Sequence, residues 1–208
     1  MGAAYQLAFS SLSTMKPGRY SGMLSYRVGD GAEIDLGARL TDISDTVLDV
    51  LVELTVKRDI RVAFAPGADR AVLEPPGGWH LWPGGEPPRQ LARDLPFRMT
   101  IDGPFGVYLG CQYTLSAETC GLRNEQGDEV PVVTSMTLRG ATYAGAGAVR
   151  VQLPTSESGK RVFDAPQPLL NQPGTVHVTV ESAGVKSMFR YPGSTYQGQV
   201  LIVFDARL

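Results

Sequence analysis

The most regular feature of the sequence is an alternation of apolar and polar residues, which is typical of half-buried β-strands. It runs through four segments, residues 96–102, 130–138, 175–181 and 196–208. It is strongest in the last of these, where apolar or small residues from Tyr196 onward share one parity. A further alternation over 52–64 predicts one long half-buried strand, which Arg58 interrupts on its inner side.

Turn sequences rich in glycine and proline separate these segments, at residues 74–78, 83–88 and 171–174. The chain contains 24 glycines and 15 prolines, an excess that suits many short strands joined by tight turns. At most one or two short helical turns are expected, the clearest over 89–93. Taken together, the pattern predicts an all-β sandwich.

An internal similarity indicates two β-domains of unequal length. Residues 17–24 and 192–200 both begin with Pro-Gly and continue with Tyr-x-Gly and an apolar strand; chance recurrence of common residues is the alternative explanation. A polar run over 41–46 follows the first copy, so we predict a first domain over 1–49 and a second over 50–208. The first is too short to close a sandwich, and we expect the closing strands of a larger β-domain followed by a linker.

Charge and length limit the class of protein. The chain has 208 residues, and its 19 basic and 21 acidic side chains give a formal net charge of −2, which argues against a protein that coats nucleic acid. The longest apolar run, 200–204, is far shorter than the roughly 20 residues of a spanning helix. The N-terminus has no basic start and no clear cleavage site. A cytosolic protein, a removed signal and a fragment therefore all remain open.

The chain contains two cysteines, Cys111 and Cys120, in strand-like surroundings. Their spacing places them across a hairpin or its loop, near enough for the Cα separation of about 5.5 Å that a disulfide requires. One alternative is a pair of free core cysteines. The other is a single disulfide formed in an oxidising compartment. Two thiols without a nearby histidine do not make a zinc site.

Residues that would carry catalysis or cofactor chemistry are scattered. The sequence lacks a Gly-x-Ser-x-Gly nucleophile elbow, a phosphate-binding Gly-Lys-Ser/Thr loop and a zinc-binding His-Glu-x-x-His helix. The two histidines, His80 and His177, are far apart, and His177 alternates with Val176 and Val178 in a predicted strand. The spacing of the carboxylates singles out no acid/base pair, although such a pair can be assembled in the fold from residues that are distant in sequence. We predict a protein that is not an enzyme and uses no metal or cofactor.

The last strand is unusual because both of its faces carry apolar residues. Val200, Ile202 and Phe204 lie on one parity, and Leu201 and Val203 lie on the other. A terminal strand usually has a partner on each side or a blunted edge. This strand is therefore expected either to be central in a sheet or to border a gap that another chain fills, the arrangement called β-augmentation.

At these positions the sequence resembles the pilin-type half of tip adhesins from the CS1-type (class 5, alternate chaperone–usher) fimbriae, also called pilus biogenesis initiators. The similar pieces, in order, are GDG at 29–31 with IDLG at 34–37, AVLEP at 71–75 leading to Gly78-Trp79, NEQG at 124–127 with VPV at 130–132 after Cys120, and GSTYQG at 193–198. The resemblance covers about residues 17–208. The order of the pieces is more specific than any one of them.

This resemblance implies that the second domain is an immunoglobulin-like pilin domain that lacks its last strand and accepts a donor strand in a groove. A periplasmic chaperone would fill the groove first, and the N-terminal extension of the next subunit, a major pilin, would then replace it. The groove walls would be Val52, Leu54 and Val56 on the first strand and Val200, Ile202 and Phe204 on the last. The chaperone would also bind the Leu208 carboxylate through basic side chains, a charge-assisted contact.

The same resemblance implies a subunit of the fimbrial tip that anchors an adhesin to the pilus. The chain would cross the periplasm, pass the outer-membrane usher and reach the cell surface, and a host receptor would bind the N-terminal domain, of which only the closing strands are present. A second hypothesis is a self-complete β-sandwich that acts as a carbohydrate-binding module. Trp79 and Trp82 would then form its sugar-stacking platform, unless they only plug one end of the sandwich.

Overall fold

The protein is described by a computed structural model at residues 8, 15, 18–39, 42–57 and 60–206. The predicted chaperone anchor, Leu208, lies outside these residues. The chain divides into two compact units, Met1–Arg58 and Asp59–Leu208. Within the described residues, no helix combines the length and the apolar character needed to cross a membrane.

The described part of the first unit is a three-stranded sheet. Its strands are β1 (Gly18–Gly29), β2 (Ile34–Asp35) and β3 (Val47–Val56), in the order β2-β1-β3. β1 and β3 pair antiparallel, from Gly18 opposite Val56 to Arg27 opposite Val47. Side chains alternate between the two faces, and one face is therefore almost entirely apolar. It carries Tyr20, Gly22, Leu24 and Tyr26 of β1 and Leu48, Val50, Val52 and Leu54 of β3.

The division between the units lies at Arg58, whereas the sequence predicts a boundary after residue 49. The reason is that β3 pairs with β1 along its whole length, which holds all of β3 in the first unit. The prediction of one strand over 52–64 is wrong, because β3 ends at Val56 and the next strand begins at Arg61 in the second unit.

The described part of the second unit contains twelve strands and one α-helix. In chain order they are β4 (Arg61–Phe64), β5 (Gln90–Ile101), β6 (Phe105–Cys111), β7 (Thr114–Ser116), β8 (Thr119–Arg123), β9 (Glu129–Leu138), β10 (Thr142–Tyr143), β11 (Ala146–Gly147), β12 (Val151–Gln152), β13 (Arg161–Asp164), β14 (Leu169–Glu181), α1 (Ser182–Met188) and β15 (Val200–Asp205). Two single-turn 3₁₀ helices, Trp79–Leu81 and Glu157–Gly159, lie in the connections.

The strands of the second unit form two antiparallel sheets. The seven-stranded sheet has the order β4-β5-β14-β9-β8-β7, with β12 also paired to β9, and the five-stranded sheet has the order β11-β10-β13-β6-β15. Side chains from both sheets form one buried core. Its largest fully buried members are Phe105, Phe163, Met99, Ile101, Leu109, Met136 and Leu138. The predicted all-β sandwich is confirmed.

Most of the alternating segments fall in strands as predicted, whereas the helical turns differ from the expected one. The segments 130–138 and 175–181 lie within β9 and β14. The helical turn expected over 89–93 is wrong, because β5 already pairs with β14 from Gln90 onward. The sequence does not predict helix α1, since its seven residues are too few to display a helical period. It is held in place by Val185, which is fully buried.

Candidate functional site: an apolar groove beside an unpaired strand edge

The last strand, β15, lies at one edge of the five-stranded sheet. It pairs antiparallel with β6, from Val200 opposite Cys111 to Asp205 opposite Gly106. No strand in the described part of the chain pairs with its other side. Of the two positions expected for this strand, central or beside a gap, the structure excludes the central one.

At every second residue of β15, the backbone N–H and C=O groups face the open side of the strand. The N–H of Gln112 donates to the carbonyl oxygen of Gln199 at 2.9 Å, which makes these two residues a hydrogen-bonded pair. Such pairs alternate with non-bonded pairs along an antiparallel ladder, so Leu201 and Val203 direct their N–H and C=O groups at β6. The alternate residues, Val200, Ile202 and Phe204, direct theirs at the open edge.

The side chains of the same three residues pack against the core. The ring of Phe204 lies 6.1 Å from that of Phe97 on β5, and the Phe97 ring lies 5.5 Å from that of Phe64 on β4. A row of three aromatic rings thus runs from the edge strand of one sheet to the edge strand of the other. Leu201, on the opposite face of β15, is 65% exposed.

A groove of about 1220 Å³ opens beside β15. Residues 191–202, which lead into β15 and include its first half, line one part of it, and Phe64 with residues 68–73 line another. The side chains that the larger sheet contributes are Leu91, Leu95, Leu122, Val132, Thr134 and Val178. All but one of these six are apolar, so the wall that the larger sheet contributes suits apolar side chains of a ligand. Its position beside unpaired backbone groups suits a ligand with a peptide backbone.

Aromatic side chains cluster at one part of the groove. Trp79, Phe189 and Tyr191 line it, and Trp82 lies next to them, with ring centroids 5.7 Å from both Trp79 and Phe189. The two indole planes meet at 84°, and the Trp82 indole N–H donates to the carbonyl oxygen of Glu86 at 3.2 Å. Because the indoles are perpendicular, they do not present the flat common surface expected of a sugar-stacking platform.

The segment that enters β15 is fixed to the turn between β8 and β9. The Tyr196 hydroxyl donates to an oxygen of Asp128 at 2.6 Å and accepts from the side-chain amide of Asn124 at 3.2 Å. The backbones of Gln197 and Arg123 exchange two hydrogen bonds. Burial, and then the neighbouring Asp128 carboxylate, raise the pKa of Tyr196 to about 12. Tyr196 therefore stays neutral and keeps its donor proton over the physiological pH range.

Gly198 allows the chain to pass from one sheet to the other. Gln197 still pairs with Arg123 of the seven-stranded sheet, whereas Gln199 already bonds to Gln112, the residue that follows β6 of the five-stranded sheet. A Cβ atom at Gly198 would lie 2.6 Å from the carbonyl oxygen of Gly121. A side chain at this position would therefore push the start of β15 away from β8.

Cys111 and Cys120 form a disulfide, with their Cα atoms 5.4 Å apart. Cys111 ends β6 in the five-stranded sheet, and Cys120 lies in β8 of the seven-stranded sheet. The bond thus joins the two sheets rather than two strands of one hairpin. Because β6 is the strand that pairs with β15, the disulfide also fixes the neighbour of β15 to the opposite sheet.

The two groove walls predicted from the sequence lie in different units. Val200, Ile202 and Phe204 share the inner face of β15, as expected. Val52, Leu54 and Val56 lie in the first unit, opposite Gly22, Tyr20 and Gly18 of β1. Within the second unit, Phe64 and residues 68–73 line the groove together with residues of β15. Periodicity does not find residues 68–73, because they carry no alternation.

His177 belongs to a polar network on the outer face of the seven-stranded sheet. Its Nδ1 lies 2.7 Å from an oxygen of Asp94, and its Nε2 lies 2.9 Å from the hydroxyl of Thr137. That hydroxyl also accepts the backbone N–H of Arg150 at 2.9 Å. Both ring nitrogens of this buried histidine therefore have partners. In the described part of the chain, no cluster of three or more His, Cys, Asp or Glu residues could hold a metal ion.

Comparisons with known proteins return matches among solved structures alone. No family model matches the sequence, and no curated protein matches it. A chain from a chaperone–tip adhesin complex of CFA/I fimbriae biogenesis is similar at 12% identity and a TM-score of 0.47, over 92% of this chain and 53% of that one. CfaE, the adhesive subunit of the CFA/I fimbria of enterotoxigenic Escherichia coli, is similar at 11% identity and a TM-score of 0.41, over 92% and 54%. The chain spans about half the length of these structures.

Proposed function

We propose that the second unit is a strand-accepting, pilin-type domain and that the protein is a structural subunit of a fimbrial tip, which anchors an adhesin to the pilus. The observation that carries the proposal is the apolar groove beside the unpaired edge of β15. The donor strand would pair with the open N–H and C=O groups of Val200, Ile202 and Phe204. It would insert alternate side chains between β15 and the wall formed by Phe64 and residues 68–73.

Two physical arguments favour a peptide strand as the occupant. An exposed, apolar strand edge is an aggregation hazard, which proteins normally cover or blunt. A β-strand is the ligand that satisfies a row of backbone donors and acceptors while filling an apolar groove with every second side chain. Each large apolar side chain that is fully buried contributes about 1.5–3 kcal/mol. Several of them would hold the joint together without covalent chemistry.

The proteins proposed as strand donors are those that the sequence resemblance implies. A periplasmic chaperone would supply the first strand and bind the carboxylate of Leu208, and the N-terminal extension of a major pilin would then take its place. The usher would receive the complex at the outer membrane. A host receptor would bind an N-terminal adhesin domain to which the first unit belongs. On this proposal the protein passes through the periplasm and works at the cell surface.

Thermal melting of the full chain with a synthetic donor peptide tests the proposal. The peptide alternates valine or leucine with polar residues, and the matched control carries aspartate at one inserted position. Binding to the folded state alone raises stability by about 2.7 kcal/mol when the free peptide is at a hundredfold excess over its dissociation constant. The control should raise the melting temperature far less, because it buries an unpaired charge. Equal shifts with both peptides, or no shift with either, would overturn the proposal.

A further inference from the structure

One polar side chain, Thr134 of β9, lies among the apolar residues at the bottom of the groove. It shares the inner face of β9 with Val132 and Met136 and lies opposite Val178 of β14. Thr134 is 1% exposed and lines the groove. Its hydroxyl oxygen has no hydrogen-bond partner among the described residues. A buried hydroxyl without a partner is costly, and valine would fill the same shape without that cost.

The Thr134 hydroxyl can distinguish one register of a donor strand from another, which its apolar neighbours cannot do. A donor strand with alternating apolar residues can slide by two positions and still present apolar side chains to the groove, since only a one-residue slip exchanges its faces. The apolar wall therefore specifies which face of the donor is inserted but not which of its residues lies where. A single buried polar group can fix register, as one buried polar residue does in a coiled coil.

We propose that Thr134 selects the register of the donor strand. Resting on the proposed strand-acceptor function, this inference assigns to the donor one inserted residue with a small hydrogen-bonding side chain, of the serine, threonine or asparagine class. That side chain would lie at the bottom of the groove and bond to the Thr134 hydroxyl. A donor shifted by two residues would leave both polar groups buried without partners, and its affinity would fall.

The test measures the affinity of the full chain for a set of synthetic peptides. The parent peptide has valine or leucine at every inserted position, and each further peptide carries serine at one of these positions in turn. The proteins compared are the wild type, Thr134→Val and Thr134→Ser. Thr134→Val keeps the shape but removes the hydroxyl, whereas Thr134→Ser keeps the hydroxyl.

In the wild type we expect one serine peptide to bind about tenfold more tightly than the peptides with serine elsewhere, which corresponds to one hydrogen bond. Thr134→Ser should keep this preference, and Thr134→Val should abolish it. Thr134→Val should also melt at a higher temperature without peptide and bind the all-apolar parent at least as well.

Two different failures are distinguishable. If the wild type binds the parent peptide, and serine lowers the affinity equally at every position, the register role of Thr134 is overturned while the strand-acceptor function stands. The same holds if the preferred position persists in Thr134→Val. If no peptide of the set binds the wild type, the strand-acceptor function fails and the role of Thr134 fails with it.

Discussion

Phe204 of β15 and Phe97 of β5 lie with their ring centroids 6.1 Å apart, although the two strands belong to different sheets. The contact ties the open edge strand to the opposite sheet, and Phe64 extends it to the other side of the groove. The open edge of β15 is thus anchored through its inner side chains. This leaves its outward backbone groups available for pairing.

Replacing Phe204 by alanine should lower the free energy of unfolding by about 2–4 kcal/mol, because the ring is partly buried and leaves a cavity. The matched control is Leu201→Ala, whose side chain is 65% exposed on the other face of the same strand. The control should change stability by less than about 0.5 kcal/mol. Urea unfolding followed by circular dichroism measures both. Similar losses in the two variants would contradict the anchoring role of Phe204.

Gly198→Ala should destabilise the second unit by about 1–3 kcal/mol, the usual range for overpacking. The new Cβ would lie 2.6 Å from the backbone oxygen of Gly121, and backbone cannot move aside as a flexible side chain can. Gly147→Ala is the matched control, since a Cβ there meets nothing within 4 Å. Chemical denaturation compares the two variants. A Gly198→Ala protein as stable as the control would contradict a close contact between Gly198 and the backbone of Gly121.

Tyr196 should make the stability of the folded protein fall as the pH rises above about 10. Its pKa is raised to about 12 in the folded protein, whereas an unfolded tyrosine ionises near pH 10. The unfolded chain therefore loses this proton first, and the stabilising contribution of Tyr196 is complete below about pH 10 and is lost as the pH rises towards 12. Absorbance titration near 295 nm should show one late-ionising tyrosine that is missing in Tyr196→Phe.

The same substitution should cost about 1.5–3 kcal/mol at neutral pH, because it removes a hydrogen bond to a charged group, the Asp128 carboxylate. The stability of Tyr196→Phe should then depend less steeply on pH above 10 than that of the wild type. Identical pH profiles for the two proteins would show that Tyr196 is not responsible for the effect.

The disulfide should be present in protein made in an oxidising compartment, with neither thiol open to alkylation. It closes a short loop, with a sequence separation of 9, so its removal in Cys111→Ala/Cys120→Ala should cost about 2–3 kcal/mol. Intact mass before and after reduction checks the bond, and urea unfolding checks its contribution. Two alkylatable thiols in the native protein would contradict it.

Alternation in the sequence predicts the sandwich and the inner face of β15, because a two-residue period is a direct consequence of strand geometry. It does not predict which strand lies across the groove. Val52, Leu54 and Val56 alternate as clearly as Val62 and Phe64, and only long-range pairing with β1 assigns them to the first unit. Residues 68–73 have no period at all, and whether the Thr134 hydroxyl has a partner among the described residues depends on distances that no sequence pattern contains.

Amide hydrogen exchange of the full chain, with and without the donor peptide, tests the strand-acceptor function most directly. The N–H groups of Ile202 and Phe204 face the open edge, whereas those of Leu201 and Val203 already bond to β6. Addition of the peptide should slow exchange at Ile202 and Phe204 many-fold and change it little at the other two residues. A peptide that binds without protecting Ile202 and Phe204, or that protects all four alike, would show that no donor strand pairs with β15.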